Sequence, residues 1–251
     1  MEFTTIATPG HESSFPLSVI NPHCHATEQE SYTLRIRARD LSSPMGDEEI
    51  LARFCKGFWG GWAFSPERWL FKWTGASVTK FTGTSPNRKL NAPERVYFGR
   101  LTSILVPGKK VENLVPTQIW YLSEFSTKKA PVIGSLLFNN FLVLDCSNAS
   151  LAERTKLFPS SADIPRPTFA FADFAAGSNE STFSMSHRFE VTREQQPVEP
   201  NGEEEMIKIT FSHVRCSPKT GGKPFPAWIL PLHVAYAKLL FNDGIRAVMA
   251  K

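Results

Sequence analysis

The chain has 251 residues, 41% of them hydrophobic and 21% charged, and it carries a net charge of +4. Its basic residues never form a run longer than a pair, so the concentrated basic stripe of a nucleic-acid-binding protein is missing and no nucleic-acid partner is expected. No stretch of about 18 apolar residues occurs, so no membrane-spanning helix is expected either.

Residues 1–30 are predicted to be an irregular N-terminal segment, because prolines are frequent there and no hydrophobic periodicity is visible. The segment lacks a basic start followed by an apolar run, so no secretion signal is expected. The four cysteines are widely spaced and form no C-x-x-C pair, which favours reduced thiols in a cytoplasmic protein over a disulfide scaffold. The neighbouring His23, Cys24 and His25 offer soft metal ligands, but we interpret them as an incidental cluster.

Residues 31–251 are predicted to form one domain, which begins with a strand and two helices. Residues 32–39 alternate apolar side chains with arginines, the pattern of a half-buried strand. Residues 46–59 place acids in a first helical turn and apolar side chains at helical spacing, which predicts an amphipathic helix that ends at a Gly-Gly pair. Residues 65–73 predict a short second helix with a serine as its N-cap.

The middle of the chain alternates polar and apolar stretches. The polar, Gly- and Pro-rich stretch 74–94 predicts a long loop, and such loops often bind ligands. Residues 132–144 are mostly apolar, which fits either a buried strand or a short helix. The remaining predictions are strands at 95–106, 118–125 and 168–174, and a polar loop at 145–166 with a helical turn at 150–157.

Two strand-like segments near the C-terminus, 182–191 and 205–215, each carry one histidine on an apolar face. Each histidine alternates with large apolar side chains, which are Phe183, Met185 and Phe189 on the first segment and Phe211 on the second. The turn-forming residues between the segments predict a hairpin that brings His187 opposite or diagonal to His213. Two titratable groups would then lie within an otherwise apolar surface.

Residues 228–249 form the longest helical pattern of the chain, with an apolar stripe along one face. An amphipathic helix must bury its stripe, and a curved antiparallel sheet offers an apolar face. The predicted fold is therefore α+β, with a curved antiparallel sheet gripping the long C-terminal helix and an irregular N-terminal extension. A hollow between the sheet and this helix is expected to form a ligand pocket.

Four features of the C-terminal third match a known pattern: the aromatic strand 169–174, the strand around His187, the strand 207–218 that ends in Cys216-Ser-Pro, and the closing helix. Together they resemble small proteins of the START-like, pollen-allergen-like helix-grip superfamily. The chain departs from that pattern where Cys216-Ser-Pro replaces a Ser-Arg-Pro step and where His187 stands in the place of an acid. The resemblance implies a hydrophobic cavity, and the superfamily includes lipid carriers, hormone receptors and cofactor-free aromatases or cyclases. It assigns no catalytic residues.

The candidate catalytic residues are His187, His213, Asp173 and Tyr236. A neutral imidazole in an apolar cavity can remove a proton beside a carbonyl and return it elsewhere. Asp173 or Tyr236 would assist, since burial raises the pKa of a carboxyl and a helix-borne hydroxyl can enter the pocket. The histidines with Asp173 would also suit zinc or non-haem iron, although no metal or other cofactor is expected. The expected substrate-binding side chains are Phe169, Phe171, Phe183, Met185, Phe189, Phe211 and Trp120. The alternative that stays open is a pair of hydrogen-bonded core histidines.

These patterns predict a protein that binds a hydrophobic small molecule in an internal cavity. We expect a cofactor-free cyclase, isomerase or dehydratase of specialised, polyketide- or terpenoid-type metabolism, and the metabolic setting rests on the resemblance alone. One alternative is a non-catalytic carrier of a lipid or another small molecule. Another is a partner-binding module with an exposed aromatic patch at 59–73. The sequence does not predict an oligomeric state.

Overall fold

The computed structural model describes residues 15–74, 118–158, 161–198, 202–224 and 226–250. Within these ranges the protein is an α+β structure, with one open sheet and the C-terminal helix packed on it. The helices are α1 (Phe15–Ile20), α2 (Asp47–Gly60), α3 (Ser65–Thr74), α4 (Leu151–Leu157) and α5 (Leu230–Met249). Most of the predicted loop at 74–94 and the whole predicted strand at 95–106 lie outside the described residues.

Among the described residues the sheet has seven strands, and all but one of its neighbouring pairs are antiparallel. The strands are β1 (Thr27–Arg37), β2 (Gln118–Ile119), β3 (Leu136–Leu137), β4 (Phe141–Cys146), β5 (Ala170–Gly177), β6 (Ser184–Val198) and β7 (Gly202–Cys216). Their order across the sheet is β1-β7-β6-β5-β4-β3-β2. The short β2 and β3 pair in parallel, so the sheet is mixed and the prediction of a wholly antiparallel sheet was wrong at this edge.

The long hairpin of β6 and β7 lies next to β1 in the sheet and confirms the predicted hairpin. Its register places His187 directly opposite His213 and Phe189 opposite Phe211. Because side chains alternate along a strand, these four point to one face, which we call the front face. The side chains one step along each strand, such as Arg188, point to the back face.

Helix α2 covers the centre of the front face. Its first turn holds three acidic residues, which favour the positive end of the helix dipole. Phe54, Phe58 and Trp59 are buried, and their rings pack on Phe189 and Phe211 of the hairpin. Over this part of the sheet, the space that we expected to be a hollow under the terminal helix is therefore occupied by aromatic rings of α2.

Helix α5 confirms the predicted C-terminal helix and packs on α2 and on the β1 side of the front face. A Cβ atom on Gly57 of α2 would lie 2.6 Å from the Asp243 carbonyl oxygen and 2.9 Å from the Gly244 Cα, so only glycine allows this approach of the two backbones. Phe241 reaches the sheet, where its ring centroid lies 6.3 Å from that of Tyr32. This placement brings the first turns of α5 to the outer end of the front face.

The back face has its own apolar cluster, which includes Phe15 and Ile20 of the N-terminal part, Leu142 and Leu144 of β4, and Val214 of β7. Every residue of β5 is buried, because this strand is covered on both faces. The N-terminal segment is thus less irregular than predicted: α1 lies within it, and β1 begins at Thr27 instead of residue 32.

Other element boundaries also differ from the predictions. The segment 132–144, which fitted a strand or a helix, contains the strands β3 and β4. The predicted strand at 118–125 is a two-residue strand followed by a 3-10 turn at Leu122–Glu124. The helical turn predicted at 150–157 is α4, which Ser150 caps by accepting a hydrogen bond from the Glu153 backbone N–H.

Candidate functional site

A row of buried titratable side chains crosses three neighbouring strands of the front face. Glu30 of β1 pairs with His213 of β7, and His213 pairs with His187 of β6. Their exposed fractions are 6%, 1% and 7% respectively, so the sheet holds all three away from bulk water. Buried ionisable groups are rare without partners, which makes this row the first candidate for a site.

A third histidine, His233, joins the row from the first turns of α5. Its Nε2 atom lies 2.6 Å from Glu30 Oε1, and its ring centroid lies 4.9 Å from that of His213. The His213 and His187 centroids are 4.7 Å apart, so the three imidazoles form a continuous series. The His233 side chain is 20% exposed, which makes it the histidine of this series that solvent reaches best.

Two further side chains fix the Glu30 carboxylate. The Tyr32 hydroxyl donates a hydrogen bond to Oε2 at 2.9 Å, and Arg215 donates to Oε1 at 3.0 Å. Burial opposes ionisation of Glu30, but the close contact and charge of His233, with help from Tyr32 and Arg215, hold its pKa below the usual value. Glu30 is therefore a carboxylate at neutral pH. Burial and the adjacent carboxylate raise the pKa of Tyr32, which keeps its hydroxyl a donor.

His187 has more aromatic surroundings than the other two histidines of the series. Its ring contacts the aromatic rings of Phe58, Trp59, Phe141 and Phe211, with centroids 5.3–6.2 Å away. Burial, with the nearby His233, lowers the pKa of His187 to about 3. Its Nδ1 atom has no hydrogen-bond partner among the residues that the structure describes. His187 is therefore a neutral imidazole at the inner end of the series.

A carboxyl–phenol pair extends the site toward α3. Glu67 of α3 and Tyr236 of α5 interact electrostatically, and burial is the largest cause that raises the pKa of each. The charge of His233 acts in the opposite direction on Glu67 and favours a lower pKa. The predicted site residue Tyr236 thus lies near the histidine series, on the same helix face as His233 three residues earlier.

Asp173, another predicted catalytic residue, is not brought to the histidines. It lies on the back face, where both of its carboxylate oxygens accept hydrogen bonds from Arg188, at 2.7 and 2.8 Å. The expectation that Asp173 would assist the histidines, or share a metal with them, is therefore wrong in geometry. The alternation of β5 is the reason: Phe174, the next residue, is the one that faces His187.

The predicted substrate-binding aromatics separate into two groups. Met185, Phe189 and Phe211 share the front face with the histidines, and the last two are buried against α2. Phe171 lies on the back face, where the guanidinium groups of Arg166 and Arg188 each lie 5.6 Å from its ring centroid. The remaining three lie away from the histidines. Phe169 contacts Phe171, Phe183 precedes β6, and Trp120 packs near Phe138.

The predicted aromatic patch at 59–73 is only partly exposed. Trp59 is buried in the core, whereas Trp62, Trp69 and Trp73 are 60%, 66% and 74% exposed. Trp69 and Trp73 stack with their planes 7° apart on the outside of α3. Separately, a surface groove of about 580 Å³ runs between α2 and α5, and its lining contains none of the histidines.

Sequence reasoning missed Glu30, Glu67 and the role of His233. One signal could have found Glu30. On alternating positions, Glu28 and Glu30 precede Tyr32 in the same way that His213 and Arg215 follow Phe211, so two complementary stripes face each other when β1 pairs with β7.

Comparison with known proteins gives no relative: no protein-family model matches the chain, and no curated protein matches it. Across the described ranges, no helix is long and apolar enough to cross a membrane. The chemistry of the site therefore has to be argued from its own residues.

Proposed function

We propose that the protein binds an apolar small molecule beside the histidine series and catalyses acid–base chemistry on it. The reaction class is a cyclisation, isomerisation or dehydration, and polyketide- or terpenoid-type metabolism is the setting that the superfamily resemblance suggests. The observation that carries the proposal is the Glu30–His233 contact at 2.6 Å, because a carboxylate that orients an imidazole is the usual arrangement of a general base.

Each group has a distinct role in the proposed chemistry. Glu30 engages Nε2 of His233, so we assign proton transfer to the other ring nitrogen, Nδ1. This nitrogen takes a proton from the carbon beside a substrate carbonyl, which leaves an enolate, and the imidazolium returns the proton at another carbon. We assign His213, whose ring centroid lies 4.9 Å from that of His233, to proton exchange with His233. The proposal uses side chains of this chain and needs no added cofactor.

The surroundings of His233 support an apolar substrate. Near it on the chain, Trp228 and Leu232 are 71% and 65% exposed, so apolar surface is available to a ligand beside His233. Trp69 on α3 is similarly exposed, and the electrostatic interaction of Glu67 with Tyr236 indicates that α3 lies close to α5 at this point. The packing of the C-terminal helix on the sheet is also compatible with a helix-grip domain.

Binding is tested with the fluorescent apolar probe anilinonaphthalene sulfonate and by native mass spectrometry of the freshly purified chain. We expect probe fluorescence to rise on binding and to fall in Leu232→Glu, because a charge would then stand at the apolar rim. Trp62→Glu is a matched control, since Trp62 is equally exposed but lines the α2–α5 groove. Equal loss of binding in both variants would place the ligand elsewhere.

Catalysis is separated from simple carriage with His233→Gln. Glutamine keeps a polar side chain at this half-buried position but cannot take up a proton at neutral pH. An acid–base enzyme should bind the probe and lose proton transfer in this variant. A protein that binds the probe, but in wild-type form promotes no proton exchange in an apolar ketone, would be the carrier of the alternative reading.

A further inference from the structure

We infer that Glu30, His213 and His233 form a binding site for one divalent transition-metal ion, with zinc as the best-matched ion. Each residue contributes one ligand atom, and these three atoms all lie within 4.8 Å of one another. Within the described ranges, this is the one group of three such side chains whose ligand atoms lie so close together. The inference uses residues that sequence reasoning had not combined.

The types of ligand atom indicate which metal ion the site would prefer. Two imidazole nitrogens and one carboxylate oxygen suit zinc, iron(II) or cobalt(II), whereas calcium and magnesium prefer all-oxygen sites. A tetrahedral zinc ion at about 2.0–2.2 Å from each ligand atom needs those atoms about 3.3–3.6 Å apart. To bind zinc, the 2.6 Å contact between Glu30 Oε1 and His233 Nε2 would have to open by about 1 Å, and separations as long as 4.8 Å would have to close by about the same amount. A fourth position then remains for water or a ligand.

The scaffold around the three residues is also suited to a metal. They lie on β1, β7 and α5, three elements that already pack together, so little chain has to be ordered on binding. Tyr32 and Arg215 both donate hydrogen bonds to the Glu30 carboxylate, and such outer contacts orient metal ligands.

The charge balance at the cluster also favours a cation. The positively charged Arg215 lies next to Glu30 and would repel a metal ion. Its charge is offset by Glu28, which accepts a hydrogen bond from it at 2.7 Å. With neutral imidazoles, two carboxylates and one guanidinium leave one net negative charge beside the site. A divalent ion would therefore meet an attractive field despite the nearby guanidinium.

Metal binding does not depend on the proposed function, although both use the same imidazole lone pairs. A zinc ion bound to His233 would occupy the imidazole lone pair that the proton transfer needs. Zinc is therefore expected to suppress proton exchange at the site, while chelation restores it. A chain that binds zinc here but catalyses nothing would support this inference and contradict the proposed function.

The main competitor for zinc is the segment His23–Cys24–His25, in which Cys24 is exposed and the two histidine rings lie 5.8 Å apart. Cobalt(II) distinguishes the two sites, because a cysteine thiolate gives cobalt an intense near-ultraviolet charge-transfer band and a site of two histidines and a carboxylate does not. The full chain is treated with a chelator, dialysed, and titrated with Zn²⁺ by calorimetry and with Co²⁺ by visible absorption. The variants are Glu30→Gln, His213→Gln and His233→Gln, with Cys24→Ser as the matched control.

We expect one zinc ion per chain, no thiolate band, and binding that Cys24→Ser leaves unchanged. Each cluster variant should weaken zinc binding by more than about 100-fold, because loss of an outer-shell partner alone costs about 10- to 100-fold. If the buried His213→Gln fails to fold, the half-exposed His233→Gln still decides the matter. Absence of zinc binding, unchanged affinity in His233→Gln, or loss of binding in Cys24→Ser would overturn the inference.

Discussion

His187 and His213 lie directly opposite each other on neighbouring strands, with ring centroids 4.7 Å apart, yet their surroundings differ. His187 is enclosed by aromatic rings of α2, β4 and β7. His213 faces His233, which lies 2.6 Å from the Glu30 carboxylate. The polar end of the series, which solvent reaches, is therefore at His233, and the apolar end is at His187.

Acid should destabilise the protein through His187. The pKa of His187 is lowered from 6.5 to about 3. Between these pH values the unfolded chain binds a proton at His187 and the folded protein does not. Stability is then lost as the pH falls from about 6.5 toward 3, by about 1.4 kcal/mol for each pH unit. In His187→Leu the free energy of unfolding should fall less steeply with decreasing pH.

Urea denaturation at a series of pH values across this window measures the slope. His23→Gln is the control, because it removes an exposed histidine and should keep the wild-type slope. Equal slopes for His187→Leu and the wild-type protein would show that His187 is not buried as a neutral imidazole.

Asp173 should prove to be a stability residue that catalysis does not need. Asp173→Asn would leave the buried Arg188 guanidinium without its bidentate partner, and the expected loss is about 3–5 kcal/mol of unfolding free energy. The exposed pair of Arg37 and Asp40 is the control, since Asp40→Asn should leave the stability almost unchanged. Proton exchange per folded molecule should be unchanged in Asp173→Asn. A folded Asp173→Asn variant that had lost proton exchange would show that Asp173 takes part in catalysis.

The crossing of α2 and α5 should not tolerate even one methyl group at Gly57. Alanine is the better helix former by about 1 kcal/mol, but its Cβ would collide with the backbone of α5 at Asp243 and Gly244. Gly57→Ala is therefore expected to lower the melting temperature, against the helix propensity. Gly222→Ala is the control, because a Cβ at Gly222 meets only ordinary contact with Thr220 at 3.6 Å. A stabilised Gly57→Ala protein would mean that the helices lie farther apart.

The histidine hairpin and the terminal helix could be predicted because their signals are local. On β6 and β7, period-two alternation and a short turn specify both the pairing and the shared face. The helix 228–249 carries its own amphipathic stripe, which begins close to the observed start of α5.

Asp173 shows what the alternation leaves open. Its strand is buried on both faces, so the pattern defines two faces without indicating which one meets the histidines. Glu30 shows another limit, because the first half of β1 is polar and pairs with β7 some 180 residues later along the chain. Likewise, the stripe of α2 predicts a buried helix but does not say which surface its aromatic rings will fill.

The central claim is that His233, oriented by Glu30, transfers protons in an apolar substrate. It is tested most directly by following deuterium incorporation from heavy water into β-tetralone by proton NMR, with chelator-treated wild-type protein, His233→Gln and His23→Gln. We expect the wild-type protein and His23→Gln to accelerate exchange equally, and His233→Gln to fall at least about 100-fold, toward the rate without protein. Exchange that His233→Gln sustains at the wild-type rate would contradict the account.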